Sequence, residues 1–148
     1  MTEDLSFKPD ELPEDRSLII VDDDRAFLQR MARAMEQRGF LVRSAFSVSE
    51  GIDLIRQSPP AFAVIDLRLE DGNGLDVIAE LTRVRPNARI IVLTGYGNIA
   101  TAVAAVKFGA VDYLSKPADA DDVIRALLAR PGAKPTPQFP MTTVVTPC

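Results

Sequence analysis

The chain has 148 residues, 47% of them apolar, and its 17 basic and 21 acidic side chains leave a net charge of −4. That length suffices for one domain around one core. With no histidine and a single cysteine, Cys148, the composition excludes Ser-His-Asp and Cys-His catalysis, histidine-based zinc sites and a disulfide framework, and leaves a hard cation on carboxylates as the natural metal.

Residues 1–16 hold Glu3, Asp4, Asp10, Glu11, Glu14 and Asp15 against Lys8 and Arg16, so the whole excess of negative charge sits there. This reads as an acidic flexible leader. No basic face for nucleic acid follows it. Nor is there a signal core or a run of ~20 apolar residues, so a cytoplasmic location and no membrane contact are expected.

Leu18–Val21 is the first strand and ends at Asp22 and Asp23. Asp23 or Asp24 stands where a helix cap belongs. Phe27, Leu28, Met31, Ala34 and Met35 follow at helical spacing up to Gly39. Phe40–Arg43 is a weaker, shorter strand. Ser47 or Ser49 caps a second helix with Val48, Ile52 and Ile55, which Pro59-Pro60 stops. Phe62–Ile65 is the third strand and ends at Asp66. A turn-rich loop, Arg68-Leu69-Glu70-Asp71-Gly72-Asn73-Gly74, leads to a helix with Leu75, Ile78, Leu81 and Val84, ended by Pro86. Ile90–Leu93 ends at Thr94. An Ala-rich helix follows, in which Ile99, Val103 and Val106 read as core and Ala100 and Ala104 as a low face open to another subunit. Val111–Ser115 ends at Lys116, and Lys116-Pro117 reads as a tight turn that admits a cis peptide. Asp119 or Asp121 opens a last helix with Val123, Ile124, Leu127 and Leu128. Pro131, Pro135, Pro137, Pro140 and Pro147 make residues 131–148 an extended linker or tail.

Five strand-then-helix repeats predict an α/β fold with one five-stranded parallel sheet and helices on both faces. Two strand orders are open from the pattern. The flavodoxin-like 2-1-3-4-5 order suits five strands better than the six-stranded dinucleotide fold, and it sets strands 1 and 3 side by side at the switch point. Asp22, Asp23 and Asp66 then converge at the carboxyl edge, with Thr94 and Lys116 beside them. Three close carboxylates either raise one another's pKa values or recruit a cation. Mg²⁺ suits them, because it needs only one or two carboxylates plus a phosphate oxygen. Metal, ammonium and hydroxyl around one carboxylate are the equipment of phosphoryl transfer. Asp66, alone at the end of the central strand, is the expected nucleophile.

The set Val21-Asp22-Asp23, Ile65-Asp66, Leu93-Thr94-Gly95 and Leu114-Ser115-Lys116-Pro117 resembles the receiver domain of bacterial two-component response regulators over about residues 17–130. The resemblance implies the (βα)5 receiver fold, with Asp66 as phosphoacceptor and Mg²⁺ held by Asp22, Asp23, Asp66 and the backbone carbonyl of Arg68. It also makes Lys116 the phosphate-contacting lysine, and Thr94 and Tyr113 the switch pair. The partners it implies are a sensor histidine kinase and, on phosphorylation, a second copy of the chain.

The stretches Asp66–Asp76, Thr94–Gly97 with Ile99–Val103, and Asp112–Ala120 are similar to the RegA/PrrA/ActR group of redox-responsive transcription regulators. Members of that group carry a Pro-rich linker and a DNA-binding helix-turn-helix after the receiver. Met141–Cys148 does not resemble that domain, so the expectation is a phosphoacceptor without its effector, not a turnover enzyme. Two other classes fit less well. Asp66-Leu67-Arg68-Leu69 lacks the Asp-x-Asp of aspartyl-phosphate hydrolases. Asp22-Asp23-Asp24-Arg25 stands where a flavin or nucleotide module needs a phosphate-cradling loop.

Overall fold

The computed structural model describes residues 14–95 and 99–129. Five strands form a parallel sheet: β1 (Ser17–Val21), β2 (Leu41–Ala45), β3 (Phe62–Asp66), β6 (Arg89–Thr94) and β7 (Asp112–Ser115). Two further strands, β4 (Arg68–Leu69) and β5 (Gly72–Asn73), pair with each other as an antiparallel hairpin. The sheet order is β2-β1-β3-β6-β7. Counting only the five sheet strands, this is the expected 2-1-3-4-5 order.

Period-two alternation gives the sheet two buried faces. Ile19, Val21, Ala63, Ile65, Ile90 and Val92 point one way, to α2 (Val48–Gln57), α3 (Gly74–Val84) and α4 (Ile99–Lys107). Leu18, Ile20, Phe62, Val64, Ile91 and Leu93 point the other way, to α1 (Arg25–Gln37) and α5 (Ala120–Leu127). Central strands covered on both sides must be apolar through their interiors, which is why Leu18–Val21, Phe62–Ile65 and Ile90–Leu93 are unbroken apolar runs with polar residues only at the strand ends.

The helix starts follow capping chemistry. Asp24 accepts from the Phe27 amide, Ser47 from Glu50, Asn73 from Leu75 and Asp119 from Asp122. These side chains satisfy amides that lack a partner in the first turn. The caps left open by sequence thus resolve to Asp24, Ser47 and Asp119. At the end of α1, Gly39 takes φ 100° while the Phe40 and Gly39 amides bond back to Met35 and Glu36. A residue with Cβ is strained in that left-handed turn.

Several readings are corrected. Phe40 is not in β2; it precedes the strand, is buried, and meets Phe62 edge-on with centroids 5.4 Å apart. β2 is as long as β1 but is an edge strand, so it is only partly buried and reads weakly. Val111 lies outside β7, the other edge strand. The 68–74 loop holds the β4–β5 hairpin. In α4, Ile99, Val103 and Val106 are exposed while Ala102 and Ala105 are buried. The bulky stripe of that helix therefore faces away from the core, because α4 approaches the sheet closely on its small residues. Ala34, Ile52 and Leu75 are only partly buried, and Val77 is a core residue that the spacing did not mark.

Asp15, placed by sequence in the leader, accepts from Ser17 and from Arg85 at 2.8 Å. Residues 1–13 of the expected leader and the expected Pro-rich tail from residue 131 lie outside the described residues. No helix among the described residues is long and apolar enough to cross a membrane.

The core on the α2–α4 side is closed by Leu81, which has no exposed surface. Leu81→Ala should lower unfolding free energy by about 3 kcal/mol through lost burial and the cavity left behind. The check is a lower urea midpoint with an unchanged slope.

Candidate functional site

β1 and β3 are neighbours in register, Val21 opposite Ile65. The residues that follow them, Asp22 and Asp66, therefore meet at the carboxyl edge. Both continue the alternation that carries Ile20 and Val64, toward the α1 and α5 side. Asp23 joins them: one carboxylate oxygen from each of Asp22, Asp23 and Asp66 lies within 4.8 Å of the others. Asp24, last of the aspartate run, belongs to the α1 cap instead, so the run divides between site and helix.

Lys116 reaches the same point from beyond β7. Its Nζ is 2.9 Å from Asp22 Oδ2 and 3.4 Å from Asp66 Oδ2. The Phe27 ring lies beneath the ammonium, 4.7 Å from Nζ to centroid. This cation–π contact was not read from sequence, where Phe27 figured only as a helical core residue. The Lys116-Pro117 peptide is cis, one of the readings the turn allowed.

The two buried carboxylates are bonded differently. Asp22, with no exposed surface, accepts from the Asp24 amide at 2.9 Å and from Lys116. Asp66 accepts from the Arg68 amide at 3.3 Å and lies at the longer distance from Lys116. The more weakly bonded oxygens are thus on Asp66. Burial, and after it the charge of Asp22, push the Asp66 carboxyl from 3.8 up to about 6, although Lys116 and the Arg68 amide pull the other way. At Lys116, burial opposes the charge. The hydrogen bond to Asp22 and the charges of Asp66 and Asp22 outweigh it and hold the ammonium above its ordinary value.

Arg68 is exposed at the start of β4, with its backbone beside Asp66. Gly74 is what lets α3 begin there. A Cβ at Gly74 would lie 2.4 Å from the Asp66 carbonyl oxygen and 2.9 Å from Ile65 Cγ2. The close approach is closed by the Gly74 amide bonding to the Leu67 carbonyl.

Thr94 is buried at the end of β6, and its hydroxyl donates to the Gly95 carbonyl at 3.3 Å. It shares strand parity with Ile90 and Val92, so it belongs to the α2–α4 face of the sheet. Tyr113, opposite Val92, is partly buried on that same face. The structure thus brings Asp22, Asp23, Asp66 and Lys116 together, sets the Arg68 backbone next to them, and places Thr94 and Tyr113 on the other side of the sheet edge.

Three carboxylates against one ammonium leave the cluster short of positive charge. Its donors are all oxygen, close and partly buried, which fits a hard divalent cation.

Residues 18–128 match the response regulator receiver domain family. The chain is 61% identical over 143 residues to the photosynthetic apparatus regulatory protein RegA of Cereibacter sphaeroides, a match covering 96% of this chain and 76% of that protein. It is 63% identical over 129 residues to the acid tolerance regulatory protein ActR of Rhizobium meliloti, covering 86% of this chain and 66% of that protein. Both relatives are thus longer than this chain. A response regulator protein from Burkholderia pseudomallei, solved with a phosphorylated aspartic acid, calcium ion and citrate, superposes with a TM-score of 0.72 at 43% identity, over 76% of this chain and 66% of that one.

The raised Asp66 carboxyl carries a stability consequence. Between about pH 4 and 6 the folded chain binds more protons at Asp66 than the unfolded chain, so stability falls as pH rises through that window, and the full cost is present above it. In metal-free buffer at pH 7, Asp66→Asn should therefore be more stable than the parent by about 3 kcal/mol. The gain should vanish near pH 4. Paired denaturant titrations across pH check this, and equal stabilities at pH 7 would refute it.

Proposed function

This chain belongs to the response regulator receiver family, the signalling domain of transcriptional response regulators, and we propose that Asp66 is its phosphoacceptor. One observation carries the reading: a buried carboxylate with weakly bonded oxygens faces two further aspartates and an ammonium at one strand edge. A sensor histidine kinase is the proposed donor. An Asp66 carboxylate oxygen attacks phosphorus, the P–O bond forms, and the P–N bond of the donor's phosphohistidine breaks.

Asp22, Asp23, Asp66 and the backbone carbonyl of Arg68 would hold Mg²⁺, and the all-oxygen cluster suits it. When bound, the ion screens the carboxylates and neutralises charge on the transferring group. Lys116 leaves its bridge between Asp22 and Asp66 to contact a phosphoryl oxygen. Its place over Phe27 keeps the ammonium at the edge throughout. The same residues assist loss of the phosphoryl group to water, so the chain acts on its own aspartate rather than turning over an external substrate.

The switch follows from the sheet edge. Thr94 exchanges its bond to the Gly95 carbonyl for the phosphoryl group, and Tyr113 moves inward with it. Both lie on the face that carries α4, whose exposed Ile99, Val103 and Val106 offer an apolar surface. A second copy of the chain is the proposed partner there after phosphorylation. DNA is reached through a helix-turn-helix domain beyond the Pro-rich linker, after residues 17–130 as the receiver and 1–16 as its leader. The setting is cytoplasmic and the signal redox-linked, as the resemblance implies.

Incubation with Mg²⁺ and a small phosphodonor should add one phosphoryl group by intact mass. The adduct should be absent from Asp66→Ala and should form roughly 10²-fold more slowly in Lys116→Ala. No adduct, or an adduct that survives Asp66→Ala, refutes the assignment. Val103→Asp should leave the adduct intact and abolish phosphorylation-dependent dimers in sedimentation. Dimers that persist in that variant would remove α4 from the interface.

A further inference from the structure

Asp71 stands in the turn of the β4–β5 hairpin, exposed and outside the acidic cluster. Its carboxylate nevertheless bonds to another element. Oδ1 accepts from the Val48 amide at 2.8 Å and Oδ2 from the Ser49 amide at 3.1 Å. These are the first two amides of α2, which have no partner within their own helix. The third, that of Glu50, is taken by Ser47 Oγ at 3.1 Å, and Glu50 itself accepts from Phe46 at 2.8 Å. The N-caps of α1, α2, α3 and α5 are supplied by the residue just before the helix. Asp71 comes from 22 and 23 positions away and uses both oxygens. The two amide bonds also hold its carboxyl below the ordinary range.

The hairpin it anchors borders the site. Leu67 alone separates Asp66 from β4, and the Arg68 amide donates to Asp66 Oδ1. Arg68 pairs with Asn73, which caps α3, and the next residue, Gly74, bonds back to Leu67. The base of the hairpin is therefore tied to Asp66 and α3. Two residues per strand do not hold a hairpin on their own. Its far end rests on α2 through Asp71 and through Leu69 and Val48, which share one buried cluster.

We propose that Asp71 is a positioning residue for the acidic site: by clamping the hairpin turn to the start of α2, it fixes the Arg68 backbone beside Asp66. The geometry in which the cluster takes a divalent cation then depends on an exposed side chain that touches none of the ligands. This inference rests on the proposed function for its chemical consequence, but the clamp itself is measurable without metal.

The test compares the full chain with Asp71→Ala, Asp71→Asn and Ser47→Ala. The last removes the local cap of α2 and leaves the hairpin contact alone. Metal-free amide exchange should quicken at Arg68 in Asp71→Ala, and Mg²⁺ affinity by calorimetry should fall roughly tenfold. Phosphorylation should slow at low Mg²⁺ and recover when Mg²⁺ saturates. Asp71→Asn, which keeps one acceptor oxygen, should fall between and covers the case in which the alanine variant does not fold. Ser47→Ala should lose stability while keeping parental exchange at Arg68 and parental Mg²⁺ affinity.

Parental exchange at Arg68 in both Asp71 variants overturns the clamp, as does a loss of Mg²⁺ affinity that Ser47→Ala reproduces. A parent chain that takes neither Mg²⁺ nor phosphoryl overturns the proposed function instead, and the exchange result still decides the clamp.

Discussion

Asp22 and Asp66 are both buried at the carboxyl edge of the central strands, and a single ammonium lies between them. Close carboxylates repel, and burial strengthens the repulsion because little water screens it. Lys116 relieves part of the repulsion and does so unequally, since it stands nearer Asp22. The fold thereby keeps one aspartate tightly satisfied and leaves the other weakly bonded. A site built from apolar strand ends can maintain this imbalance because the strands themselves are fixed on both faces by packed helices. The tension in the cluster is balanced by core burial elsewhere, and Phe27 in α1 contributes to both, as a core residue and as a support for the ammonium.

The alternation of the strands divides the labour at this edge. Asp22, Asp66 and Lys116 follow the parity of the α1 and α5 face, whereas Thr94 and Tyr113 follow the parity of the α2–α4 face. The two groups meet where β6 ends, between Asp66 on β3 and the turn that carries Lys116. The Lys116 amide bonds to the Thr94 carbonyl at 2.8 Å, and the Leu67 amide to the Leu93 carbonyl at 3.1 Å. Backbone bonds thus run from each side of the acidic site to the end of β6.

The five strands and the carboxylates at their ends were legible in the sequence because buried parallel strands announce themselves as apolar runs and the residues after them share one edge, whereas the sheet order was left open by the pattern and was chosen by strand count and the receiver resemblance. Asp22, Asp23, Asp66, Thr94 and Lys116 stand where the runs end, whereas Arg68 and Tyr113 entered through the resemblance. Legibility failed where the signal is not periodic. Asp71 reads as a turn residue, since nothing local shows that its carboxylate serves a helix that begins 23 residues earlier. Phe27 reads as core, and its second role depends on a lysine far along the chain. The hairpin of β4 and β5 has two residues in each strand, too few for any pattern. For α4 the rule itself misled: bulky residues at helical spacing usually mark the buried stripe, but here alanines make the contact and the bulky residues stand outside.

That inversion bears on how the molecule responds. α3 is fixed by Val77, Ile78 and Leu81, all fully buried, while α4 buries only Ala102 and Ala105 within its span. At about 0.8 kcal/mol per buried methylene-sized group, two alanines hold a helix far less firmly than three large aliphatic side chains. Elements with little buried apolar surface lie at the low-stability end of a fold, where rearrangement is cheapest. α4 also lies beside β6 and β7, which carry Thr94 and Tyr113. The less firmly held of these two helices therefore adjoins Thr94 and Tyr113, the proposed switch pair, and its Ile99, Val103 and Val106 stand outside the core. A better-packed α4 would stabilise the domain and, by the same contacts, resist the rearrangement proposed for signalling.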